Sequence, residues 1–233
     1  MILDNINIHE IVNIYFCNLT LINIKMKKLM IAAVAVLGFG VANAQDVKFG
    51  AKAALNYATW SGDIEETDGL IGFAVGGFVN VPINEKFSFQ PELLYSMQGT
   101  SSKETETFGQ TTQTLDTKFK LGYLNVPLMF RYEVAKGFSL EAGPQIGFLL
   151  SANGDVTSTI KNGNNTTTTS ASEDVKENFN TVDFGFSLGG GYDITKNINL
   201  GLRYNLGLSN IAKDSEDFKV RNSVFSLFVG YRF

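Results

Sequence analysis

The side chains that most often carry chemistry are scarce in this sequence. One Cys and one His occur in 233 residues. They are Cys17 and His9, and both precede a segment that reads as a secretory signal, Met26 to Ala44. Lys27 and Lys28 form its basic start, Leu29 to Val41 its apolar core, and Ala42-Asn43-Ala44 its small-residue cleavage site. That core is too short to span a membrane as a helix. Residues 1–25 then read as a start-site misassignment or an extension, residues 26–44 as the signal peptide, and residues 45–233 as the mature domain. Gln45–Phe233 has neither Cys nor His, so it offers no thiolate nucleophile, no Cys/His zinc site and no Ser-His-Asp triad. The expectation is no catalytic residue, no metal, no cofactor and no enzyme.

Charged residues are what remain. Lys52, Glu92, Arg131, Glu141 and Arg203 fall at similar depths on one face of five different segments, with Glu133 and Arg232 lower, near a rim. Charges enclosed together must pair to offset desolvation, so these five predict a buried salt-bridge network. Asp63, Glu65, Glu66 and Asp68 lack EF-hand spacing and read as a solvated acidic loop. Gly189-Gly190-Gly191 lacks the Gly-Lys-Ser/Thr ending of a phosphate loop. Asn164-Asn165-Thr166 matches a glycosylation sequon in a Thr/Asn/Ser-rich stretch.

The elements that position the five charges alternate with period two, the strand period. In Phe138 to Leu150, Phe138, Leu140, Ala142, Pro144, Ile146, Phe148 and Leu150 oppose Ser139, Glu141, Gly143, Gln145, Gly147 and Leu149. Segments at about 47–60, 70–82, 87–99, 117–134, 138–151, 181–193, 198–210 and 222–233 share this pattern. The fourth reads as changing parity near Gly122-Tyr123, where Phe119 and Leu121 give way to Leu124, Val126, Leu128, Phe130 and Tyr132; a bulge there is the expected cause. Three connections are tight (83–86, 135–137 and 194–197). Four are long and polar (61–69, 100–116, 152–180 and 211–221). Strict alternation of short and long links places every long loop at one end, as in outer-membrane barrels.

Face chemistry selects the membrane-type barrel. An eight-stranded interior is just wide enough for its own side chains. It cannot hold Phe87, Phe89, Phe130, Phe138, Phe148, Phe184, Phe186 and Phe225 with the neighbouring leucines. The Gly-rich polar face (Gly72, Gly76, Gly143, Gly147, Gly185, Gly189, Gly201, Gly230) suits a narrow lumen, although a two-sheet sandwich could also bury the rings. Aromatic residues near both strand ends, Tyr57, Trp60, Phe73, Tyr95, Phe148 and Tyr204 at one and Phe87, Tyr132, Phe138, Tyr192, Tyr231 and Phe233 at the other, match two interfacial belts. The expected fold is an all-β, eight-stranded antiparallel up-and-down transmembrane β-barrel. A net charge of −4 with no basic block leaves no footprint for nucleic acid.

The last segment alternates Phe225, Leu227, Val229 and Tyr231 and stops at Phe233. It looks like the terminal-strand signal that outer-membrane barrels present to the barrel assembly machinery, with periplasmic chaperones as companions on the way. Gln90-Pro91-Glu92-Leu93-Leu94-Tyr95, Tyr123-Leu124-Asn125-Val126-Pro127-Leu128 and Ala142-Gly143-Pro144-Gln145-Ile146-Gly147 resemble a family. They are similar to the outer-membrane β-barrel domain proteins of Bacteroidetes, the "porin family" or PorT-like proteins. The resemblance implies residence in the outer membrane of a Gram-negative cell, surrounded by its lipid. It is specific for fold and location and says little about activity. The expected role is structural or interaction-based, with a plugged polar lumen, long extracellular loops and an unassigned surface partner. A small porin or solute channel is the alternative, and a component associated with protein secretion a further one.

Overall fold

The computed structural model describes residues 47–64, 67–213, 215 and 218–233. The readings placed on residues 1–44, like Glu65 and Glu66, lie outside the described residues. Among the described residues nine strands follow in chain order: β1 Lys48–Gly62, β2 Asp68–Pro82, β3 Phe87–Phe108, β4 Thr111–Ala135, β5 Phe138–Asn162, β6 Asn165–Asp174, β7 Val182–Asp193, β8 Ile198–Gly207 and β9 Val220–Arg232. Sequential neighbours pair antiparallel except β6 and β7, which both pair with β5, and β1 pairs with β9 from Gly50↔Arg232 to Gly62↔Val220. Eight strands thus close into a ring, with β6 attached outside it to the upper part of β5.

Local chemistry sets the tight turns. Asn84 Oδ1 accepts the backbone N–H groups of Lys86 and Phe87 at 2.9 and 2.8 Å. Thr195 Oγ1 does the same for Asn197 and Ile198 at 3.2 and 2.9 Å. Such side-chain caps fix a turn without help from packing. Gly137, at φ 81°, takes the left-handed conformation that the third turn requires.

The wall is inverted relative to a soluble protein. Leu55, Ile71, Leu93, Phe184, Leu188 and Leu227 are each more than half exposed on its outside. Its interior instead buries Lys52, Glu92, Arg131, Glu141 and Arg203 among Asn, Gln and Ser side chains. A bilayer needs about 9–11 residues of tilted strand to cross it. β7 and β8, with 12 and 10 residues, match that length. β4 and β5 have 25 residues each, far more than crossing demands.

The surplus corrects two of the expected loops. Residues 100–116 and 152–180 are mostly strand: β3, β4, β5 and β6 continue past the ring as a four-stranded antiparallel sheet, the flap. Its two hairpin tips are Gly109-Gln110 and Gly163-Asn164, with Gly at φ 62° and 56°. A glycine with positive φ leading a two-residue loop suits the right-handed twist of paired strands. Asn164-Asn165-Thr166 therefore sits at a hairpin tip.

The expected parity change in β4 is also corrected. The register does slip at Gly122/Tyr123, where Gly122 pairs with Ser151 and Tyr123 with Leu149. The extra residue, Leu150, belongs to β5. β4 keeps its phase, and Leu121 and Tyr123 are both fully buried. Leu121 turns inward because an apolar cluster fills the flap end of the ring: Leu121, Tyr123, Leu149, Ala152, Ile211 and Val220, with Trp60, Phe119 and Phe179 packed against them. Trp60 accordingly leaves the expected aromatic belt. It stacks on Phe119 with ring centroids 5.2 Å apart.

Candidate functional site

The lumen is built in layers. At mid-depth the register brings β1, β3, β4, β5 and β8 into one plane, and each supplies a charged residue. Lys52 Nζ lies 2.5 Å from Glu92 Oε1. Arg203 spans two carboxylates, with Nη1 2.8 Å from Glu92 Oε2 and Nη2 2.6 Å from Glu141 Oε1. Its Nε also donates to Glu141 Oε1 at 2.7 Å. A planar guanidinium with five donors is the group suited to bridging two acids in this way. Arg131 is the looser member, with Nε 3.9 Å from Glu141 Oε2 and its hydrogen bonds going to Gln90 Oε1 (3.2 Å) and Ser139 Oγ (2.8 Å).

Several participants carried no signal strong enough to single them out in the sequence. Asp193, the last residue of β7, pairs with Arg232 and lies 3.9 Å from Arg131 Nη2. Gln90 donates to Glu92 Oε1 at 2.8 Å while accepting from Arg131 and Asn80, which makes it the hydrogen-bonded link between layers. Phe78 and Phe228 are aromatic yet face inward and are buried. Lys52 Nζ sits 4.3 Å and Arg203 Cζ 5.4 Å from the Phe228 ring centroid. The layer has four cations (Lys52, Arg131, Arg203, Arg232) and three carboxylates (Glu92, Glu141, Asp193), so a ring face that attracts cations lowers the cost of the surplus. Inward parity was the available clue for both rings and for Asp193. Glu133, expected at the rim, is exposed, and its carboxylate accepts the Gly137 N–H at 3.2 Å across the turn.

Above the charges the lumen is neutral and polar. Asn56 donates to Ser96 Oγ at 3.0 Å and accepts from Ser226 Oγ at 2.8 Å, and Asn205 donates to Ser187 Oγ at 3.0 Å. Next comes Asp183, held by Asn222 Nδ2 (2.9 Å) and Ser209 Oγ (2.6 Å), and then the apolar cluster. A cavity of about 30 Å³ lies between the charged and neutral layers, lined among others by Lys52, Asn56, Gln98 and Arg203. That is the space of roughly one water molecule.

Outside, Phe225, Leu227, Val229, Tyr231 and Phe233 are all exposed along β9, and Phe233 N–H closes onto Phe49 O at 2.9 Å. In the acidic connection, Asp63 Oδ2 accepts the Lys219 N–H at 3.0 Å and so ties β1 to β9.

Residues 43–213 match the outer membrane protein beta-barrel domain family. The chain belongs to that family, and it is an outer-membrane protein. Among solved structures, it is similar to Ail, the attachment invasion locus protein of Yersinia pestis, at 16% identity over 80% of this chain and 97% of that one, with a TM-score of 0.41. Neisserial surface protein A shows 16% identity, covers 79% and 97%, and scores 0.44. CarO of Acinetobacter baumannii shows 13% identity over 78% and 97%, with a TM-score of 0.36. No curated protein sequence matches the chain.

Proposed function

We propose that this protein is a non-catalytic, non-conducting barrel that anchors a rigid β-structured flap at the cell surface for interaction with a partner. The observation that carries the reading is a crowded interior among the described residues, with a cavity of about 30 Å³ at mid-lumen and the Leu121, Tyr123, Leu149 and Ile211 cluster above it. An ion would have to part the Arg203–Glu92–Glu141 bridges and then cross the Leu121, Leu149 and Ile211 layer. The tight turns belong on the periplasmic side and the flap outside, following the general build of such barrels.

The same reading assigns Phe225, Leu227, Val229, Tyr231 and Phe233 to recognition by the barrel assembly machinery, and residues 26–44 to export. Kinship with the barrel proteins of Bacteroidetes rests on the three Pro-containing segments at 90–95, 123–128 and 142–147.

Single-channel recording tests the plug. Protein extracted from outer membranes and reconstituted in planar bilayers is expected to give no discrete steps while keeping heat-modifiable gel mobility. Steps whose size changes in Arg131→Gln or Arg203→Gln would overturn the plug and favour a small porin.

A further inference from the structure

The flap has two chemically distinct faces. One holds hydroxyl ladders and the flap's lysines. Thr105 and Thr114 lie 3.2 Å apart, Thr107 and Thr112 3.3 Å, Thr159 and Thr168 3.4 Å. Lys118 pairs with Asp116 and Lys120 with Asp155 on that same side. The opposite face continues the lumen side of the wall, because Phe119 packs on the apolar lid and alternation carries Leu115 to the same side. Cross-strand register then adds Glu104, Glu106 and Phe108 from β3, Val156 and Ile160 from β5 and Glu173 from β6.

This lumen-side face sets exposed apolar and acidic side chains among neutral polar ones, Gln113, Thr117, Ser158, Thr167 and Thr169. Phe108 is 68% exposed, Ile160 41%, Val156 40% and Leu115 37%. Glu104 pairs across from Leu115, and Glu106 across from Gln113, which is next to Ile160. By alternation and register, no Lys or Arg of β3–β6 above Gly99 falls on this face; Lys103, Lys118, Lys120 and Lys161 all belong to the other. Exposed apolar side chains rimmed by charge of one sign mark an interaction surface.

We propose that the lumen-side face of the flap is a docking surface for a cationic, amphipathic polypeptide segment, whose apolar side chains cover Leu115, Val156 and Ile160 while its Lys or Arg residues meet Glu104, Glu106 and Glu173. The proposal rests on the reading of the flap as an anchored interaction platform. A second copy of this chain fits poorly, because stacking two such faces opposes carboxylate to carboxylate. Anionic headgroups are repelled by the same three acids, and the lipid-facing continuation of the wall is the other face. Among the described residues no strand pairs with the outer edge of β6, which offers an extended partner backbone hydrogen bonds as well.

The probe is a synthetic peptide alternating Lys and Leu, titrated against the full protein in zwitterionic nanodiscs, with empty discs and a Glu/Leu peptide as controls. Saturable binding of the Lys/Leu peptide alone is expected. Glu104→Gln/Glu106→Gln and Leu115→Asn should each weaken it about tenfold, while Lys103→Gln/Lys161→Gln on the opposite face leaves it unchanged. Equal binding of the Glu/Leu peptide, or indifference to the Glu104/Glu106 pair, would overturn the proposal. Self-association of the protein that Leu115→Asn abolishes would overturn it too, by identifying a second copy as the occupant. If Leu115→Asn fails to fold by gel mobility, the charge pair decides. Conductance of the same preparation separates the two readings: current with intact peptide binding defeats only the plug, and silence without binding defeats only the docking face.

Discussion

The lower and upper halves of β4 and β5 are one pair of strands in two solvents. In the lower half Leu124, Val126, Leu128 and Phe130 point outward, and Asn125, Met129 and Arg131 are buried inside. In the upper half the outward positions become Lys120, Lys118, Asp116, Thr114 and Thr112, and the inward ones become Leu121, Phe119 and Leu115, interspersed with Thr117 and Gln113. The phase of β4 never changes; the chemistry of its two faces is exchanged at Leu121–Tyr123. Lipid selects apolar residues on the outside of the ring, and once the strands leave it, water selects polar ones there. Inside, the narrow ring demands paired polar groups, whereas its mouth can be sealed by apolar packing.

The sharpest way to break the lower half is Arg203→Ala. It leaves Glu92 and Glu141 buried without their shared partner and should cost about 3–5 kcal/mol, read as a lowered midpoint in urea unfolding followed by gel mobility. Arg131→Ala should cost visibly less, since its nearest carboxylate contact is 3.9 Å. Equal losses would mean that the layer behaves as a continuum and that Arg203 is not its keystone. Opening the mouth comes next. Leu149 is 2% exposed in the lid, and Leu149→Ala should cost about 2–3 kcal/mol through the cavity it leaves.

Wall curvature can be probed at Gly143, where an added Cβ would lie 1.9 Å from Leu128 O. The strands must shift to accept Gly143→Ala, at about 1–2 kcal/mol. A neutral result would show that the ring flexes there. The smallest effect is expected in the flap. Lys120 Nζ and then Ser172 Oγ, at 2.7 and 2.5 Å, hydrogen-bond Asp155 and hold its carboxyl below the ordinary aspartate value. A depressed folded-state value means that the stabilisation is present above the ordinary aspartate pKa of about 3.9 and is lost as pH falls through the folded one. The pair is exposed to water, so the gain is below about 1 kcal/mol. Amide exchange in the flap should therefore be slower in the wild type than in Asp155→Asn at pH 6, with the difference vanishing below about pH 3.

Most of the ring could be read from alternation, because a wall between lipid and a crowded lumen enforces period two along most of each strand. Turn chemistry was legible for the same reason: Asn84, Thr195 and Gly137 act locally. The upper sheet was not legible as strand. Thr166 to Ser172 is polar on both faces, which erases the alternation that marks a half-buried strand, so its composition looks like a loop. Two signals did mark it, Asn162-Gly163-Asn164 at one tip and Gly109-Gln110 at the other, each flanked by threonines of high strand propensity. The apparent parity change came from treating every apolar residue as lipid-facing, which also misplaced Trp60. Alternation could place Lys52, Glu92, Arg131, Glu141 and Arg203 on one side of the wall. It carried no information about Gln90 as a bridge or Phe228 as a cation-holding surface, since those roles depend on which strands meet across the ring.

A spin-label accessibility scan along β4 from Thr111 to Arg131, in reconstituted bilayers, tests the exchange of faces most directly. The expected result is that even-numbered positions 124–130 contact oxygen dissolved in lipid. Even-numbered positions 112–120 should contact a water-soluble relaxant, and no one-residue phase shift should occur at Gly122–Tyr123. A phase shift there, with Phe119 and Leu121 facing lipid, would contradict the account and turn the apolar lid inside out.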